Sequence, residues 1–135
     1  MRNTDLARDY FERSRRRLKA IDALFVEKGW ADVVLESQEA VELALKGLLR
    51  RSNVEPPRIH DVSEVLRENF SSLRRDVATH LEELCEISRE LRRDRELAFY
   101  GSEDLTPSDF YKEKDAREAR RKARRVVEVV ARAFE

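Results

Sequence analysis

Apolar residues recur every three or four positions along almost the whole chain, and no stretch alternates with the period of two that a strand requires. The first helix is expected to start near Asn3 or Thr4 and to end before Gly29, with Leu6, Tyr10, Leu18, Ile21 and Phe25 on one stripe and Phe11 beside it. A second runs from about Ala31 to Arg51. Val34, Val41, Ala44, Leu45 and Leu48 form its apolar face, and Glu42 with Lys46 makes a favourable i,i+4 pair. Pro56 and Pro57 then hold the chain extended. Asp61 and Glu64 read as a capping box for a short third helix, Val62 to about Asn69. A fourth helix spans about Ser72 to Tyr100. The last begins near Ser108 or Asp109 and reaches about Phe134 on a stripe of Ala116, Ala119, Ala123, Val126, Val127, Val130 and Phe134. Gly47 is the one glycine inside a helical pattern, where close helix packing explains it. These stripes predict an all-α fold, an up-and-down antiparallel bundle of four long helices plus one short one.

The fourth helix contains an irregularity. Its apolar face is Val77, Leu81, Leu84, Leu91 and Ala98, with Ser88 filling the gap, and the same spacing puts Arg95 on the buried stripe. A buried guanidinium costs several kcal/mol unless it is paired or hydrogen-bonded. Arg95 therefore either snorkels to water at a bundle end, or sits in a buried interface pair, or contacts a ligand or phosphate.

Composition narrows the function classes. A chain of 135 residues suggests one domain, residues 1–135, able to bury roughly 65–70% of its unfolded surface without staples. A single cysteine excludes an internal disulfide and fits a reducing compartment. No metal-ligand spacing occurs, no apolar run is long enough to span a membrane, and the N-terminus has no hydrophobic signal region, so a cytoplasmic protein without metal or cofactor is expected. Charged residues make up 41% of the chain, yet the formal net charge is zero. Net charge alone therefore gives no generic pull on nucleic acid. The run KEKDAREARRKARR, residues 112–125, is locally basic; it reads either as a phosphate or acidic-partner contact or as the solvated side of a helix.

Several single residues carry two readings. His80 has no catalytic neighbour in sequence and fits a surface or flank position, Cys85 borders the apolar face as a small buried hydrophobe, and Trp30 either seals the first interhelix turn or packs in a dimer. GSEDLTPSDF superficially suggests a nucleotidyltransferase loop, but lacks the pair of carboxylates one residue apart on a strand. It reads better as a helix stop at Gly101 and a start around Pro107.

The segment SQEAVELALKGLLRRSNVEPPRIHDVSEVL, residues 37–66, resembles the second and third helices of HEPN domains. Gln38, Ala40, Glu42, Leu45, Lys46, Leu49 and the His60-Asp61 pair are the matching points. RELAFYG, followed by Pro107, Tyr111 and an alanine-rich last helix, is similar to the corresponding later segment. The resemblance implies a homodimer, a minimal nucleotidyltransferase as partner in a toxin–antitoxin-like pair, and a cleft for nucleotide or RNA at the dimer interface. In the family's metal-independent ribonucleases an arginine is followed, after four to six residues, by a histidine. Arg95 matches the arginine, but Tyr100 stands at the histidine position and no histidine follows it. A phenol with a pKa near 10 is a poor general base at neutral pH, though it still donates a hydrogen bond or stacks on a base. Arg95, Tyr100, Tyr111, His60 and Lys46 are the candidate ligand-binding residues, with His60 alternatively fixing the start of the third helix. The expected function is a binding module without an intact ribonuclease motif. A ribonuclease using Arg95 and Tyr100, and a structural helical adaptor, are the alternatives.

Overall fold

The computed structural model describes residues 3–58, 61–100 and 106–135, the last five of the second stretch by backbone alone. Every regular element among them is helical: α1 (Asn3–Val26), α2 (Trp30–Arg51), α3 (Val62–Glu68), α4 (Arg75–Ala78), α5 (Leu81–Tyr100), α6 (Pro107–Phe110) and α7 (Glu113–Ala131), with 3₁₀ turns at Phe70–Ser72 and Arg132–Phe134.

Side-chain pairs fix the helix directions. Asn3 Nδ2 donates to the Arg50 carbonyl (2.7 Å) at one end of the α1–α2 hairpin, and the Phe25 and Trp30 rings meet edge to face at the other, 5.0 Å apart. Trp30 thus seals the first turn. Helix α5 runs against α2, with Arg92 on Glu42 and Arg95 on Glu39. Helix α7 runs against α1 through Asp22, which pairs with Arg120 and Arg124, and against α5 through Glu83–Arg125 and Glu90–Lys122. The long helices therefore go up, down, up and down, as the stripes predict. The basic run on α7 is largely taken up by these pairs and by Arg117–Glu113 and Arg121–Glu118 within the helix.

Helix α2 is the centre. It packs on α1, α5 and α7, and buries Val33, Val34, Val41, Leu45, Leu48 and Leu49 among others. Each such aliphatic side chain removed from water contributes roughly 1.5–3 kcal/mol before the entropy of ordering is set against it. Gly47 marks its closest approach to α1: a β-carbon there would lie 3.2 Å from the Ala7 carbonyl oxygen and 3.3 Å from the Phe11 nitrogen.

The structure corrects the helix pattern in four places. On α1 the buried stripe is Ala7, Phe11, Ser14 and Ile21, while Leu6 and Tyr10 are only half-buried. The contact with Gly47 selects a small residue at position 7, and large apolar residues alone mislead there. The expected fourth helix is broken. Leu73 is extended (φ −81°, ψ 147°) and buried, α4 closes through Thr79 N to Arg75 O and His80 N to Val77 O, and α5 starts afresh. His80, expected at a surface or flank position, is half-buried in that break, its Nδ1 3.5 Å from Arg125. The last helix is also interrupted. Thr106 caps α6 with Pro107 in its first turn, and the chain is extended at Tyr111 and Lys112 before Asp115 accepts from the Lys112 amide (2.9 Å) to start α7. Finally, Glu42 bonds Arg92 rather than Lys46.

Gly47→Val tests the close approach. The atoms it would meet are two backbone atoms of α1 and the Tyr10 β-carbon, none of which can swing aside, so overpacking costs roughly 2–3 kcal/mol, read as a lower denaturant midpoint. Gly47→Ala is expected to lose less, because its better helix propensity offsets about 1 kcal/mol.

Candidate functional site

A groove of about 290 Å³ lies between the polar strip of α2, the C-terminal half of α5 and the chain around Pro57. Helix α2 contributes Gln38, Glu39, Glu42 and Lys46, one side of a helix at spacings of three and four. Helix α5 contributes Arg92 and Arg95, one turn apart, and Arg58 follows the two prolines that extend the loop. Four cations thus face two carboxylates.

Arg95 is not on the core stripe. The Arg95 side chain is 42% exposed, one turn beyond the buried Leu91 on α5. Its Nη1 lies 2.7 Å from Glu39 Oε1 and donates to Gln38 Oε1 at 2.8 Å. Gln38 is itself buried, so it holds the guanidinium from beneath. Arg92 donates from Nη2 to Glu42 (2.6 Å), and its Nη1 is 3.3 Å from Asp61 Oδ1. The same Oδ1 accepts the Ser63 amide at 2.9 Å, capping α3; Glu64 stays exposed. Among the described residues, Lys46 and Arg58 have no carboxylate partner.

This arrangement can bind an anion. Ion pairs on partly exposed side chains contribute about 0–1 kcal/mol each, so they position Arg92 and Arg95 without locking them. A phosphate offers a guanidinium shorter, charge-assisted, two-pronged bonds and can compete for both. The described lining has no histidine or thiol, and no cluster of metal-binding side chains occurs among the described residues.

Two of the five candidates, Arg95 and Lys46, come together in the groove. His60 and the side chain of Tyr100 lie outside the described residues. Tyr111 is placed elsewhere: it is 4% exposed, and its hydroxyl donates to the Asp94 carbonyl (2.8 Å). Burial, with Asp94 and Asp115 nearby, pushes its phenol up to about 12. It ties the α6–α7 junction to α5 one residue before Arg95 and supports the groove from behind. Cys85 is buried against Ser63, and burial raises its thiol. Sequence reasoning missed Glu39, Arg58 and Arg92 as site residues. The i,i+3 spacing of Arg92 and Arg95 was the available signal for one of them.

The chain matches the HEPN domain family model over residues 7–133. It belongs to the HEPN family. Comparisons with curated proteins and with solved structures give no match. Membership supports a nucleotide- or RNA-related module in general terms. Among the described residues, no helix of this HEPN protein is long and apolar enough to cross a membrane.

Tyr111→Phe tests the support behind the groove. Losing the bond to the Asp94 carbonyl costs about 1 kcal/mol at neutral pH. The folded phenol titrates above its ordinary 10.0, at about 12, so its contribution is complete below pH 10 and is lost as pH rises towards 12. Denaturant unfolding should show an alkaline loss of stability in the wild type that is smaller in Tyr111→Phe.

Proposed function

We propose that this HEPN protein is a homodimeric binding module that takes the phosphate of a nucleotide or nucleic acid in the Arg92–Arg95 groove and performs no ribonuclease chemistry. It works in the cytoplasm beside a minimal nucleotidyltransferase, in a two-component, toxin–antitoxin-like arrangement. The observation that carries the binding role is the convergence of Lys46, Arg58, Arg92 and Arg95 at the position of the family's arginine. The homodimer and the nucleotidyltransferase partner rest on the family resemblance. The lack of a base supports the non-catalytic reading: the position that a ribonuclease gives to histidine holds Tyr100, and no histidine occurs after Arg95.

Fluorescence anisotropy with a labelled, 5′-phosphorylated single-stranded RNA tests the groove. Arg95→Ala should weaken binding by roughly 10–100-fold, the loss of a charge-assisted bond. The RNA should remain intact on a gel with either protein. Cleavage by the wild type that Arg95→Ala lacks would overturn the binding-module reading in favour of an enzyme. Sedimentation at micromolar concentration should give a dimer.

A further inference from the structure

The stretch Arg13–Lys19 of α1 holds five cations (Arg13, Arg15, Arg16, Arg17 and Lys19) and no carboxylate. Helical spacing sorts them. Arg13, Arg16 and Arg17 share one face with Ala20 and line a shallow surface concavity of about 320 Å³, while Arg15 and Lys19 point towards the α1–α7 side. The contrast with α7 is informative: the α7 cations largely find carboxylates on α1, α5 or α7 itself, whereas among the described residues Arg13 and Arg16 pair with none. The α1 face is thus a local run of cations in which two guanidiniums have no carboxylate among the described residues.

The patch adjoins the groove. Arg17 pairs with Glu36 of α2 (2.5 Å), one helical turn before Glu39, which pairs with Arg95 (2.7 Å). The arginines of α1 and α5 thus stand on opposite edges of the same half-buried polar strip of α2. They also share its length: the Arg13 guanidinium lies 6.0 Å from the Tyr10 ring, and Tyr10 packs at Gly47, next to the groove's Lys46.

We infer that the Arg13–Arg16–Arg17 face of α1 is a second phosphate-binding surface, and that with the groove it holds a single-stranded polynucleotide laid across α2. This rests on the groove reading for one end of the strand. Two cationic sites on either side of α2 suit a polymer of phosphodiesters rather than one free nucleotide. Arginine suits phosphate through its planar fork of donors. A lipid surface fits less well, because the apolar side of α1 is in the core and this face offers only Ala20 to insert.

The test uses the whole chain and two labelled probes, a single-stranded RNA about 12 nucleotides long and adenosine monophosphate, titrated at several salt concentrations. Arg13 and Arg16 are exposed helix positions, so Arg13→Ala/Arg16→Ala should keep the fold, checked by circular dichroism. The double variant should bind the RNA about tenfold more weakly, with a salt slope smaller by about 1.4, and bind the mononucleotide as the wild type does. RNA binding and slope unchanged in a folded double variant would overturn the α1 surface and leave the groove reading standing. The groove reading fails separately if Arg95→Ala leaves both probes bound as before.

Discussion

Helix α2 is enclosed by α1, α5 and α7, and its sequence leaves one narrow strip on which charge can reach water. That strip carries Glu36, Glu39, Glu42 and Lys46. Each carboxylate draws a guanidinium from a neighbouring helix: Arg17 from α1, Arg95 and Arg92 from α5. The packing of the central helix therefore decides where the arginines of its neighbours gather. The rest of the α2 circumference is mostly aliphatic, with Ser37 and Gln38 as its buried polar residues, and a charge placed there would be buried without a partner.

The groove follows from this constraint. It is floored by the polar edge of a core helix, and walled by Arg92 and Arg95 of α5 and by a proline-extended loop. Its cations are held by contacts weak enough to be exchanged. Such a site is suited to recognition: the positive groups are arranged before the ligand arrives, and the carboxylates keep them apart and soluble in its absence. Tyr111 adds rigidity beside the groove by fixing the carbonyl next to Arg95.

Much of this was legible from periodicity. The boundaries of α1 and α2, the stripe Val77–Leu81–Leu84–Ser88–Leu91, the role of Gly47 and the cap at Asp61 all come from local patterns that tertiary packing leaves intact. The breaks at His80 and Tyr111 do not. Neither carries glycine or proline at the break itself; the chain turns there because Leu73 and Tyr111 have to reach the core. Arg95 was misplaced for a related reason. Helical spacing extends a stripe indefinitely, but burial depends on what the facing helix offers, and opposite Arg95 α2 offers Gln38 and Glu39. Arg58 and Arg92 stayed hidden because arginine is abundant everywhere in this chain. Only the fold shows which arginines converge.

Asp61 has a consequence of another kind. One carboxylate oxygen serves both the start of α3 and the groove, accepting the Ser63 amide and lying against Arg92. When a guanidinium turns away to an anion, the oxygen keeps its charge for the amide alone. Helix initiation and site occupancy are thereby written into a single atom. A bound anion would tighten the first turn of α3 without touching it, and through Ser63, whose hydroxyl donates to the Cys85 carbonyl, that tightening would extend to the buried side of α5.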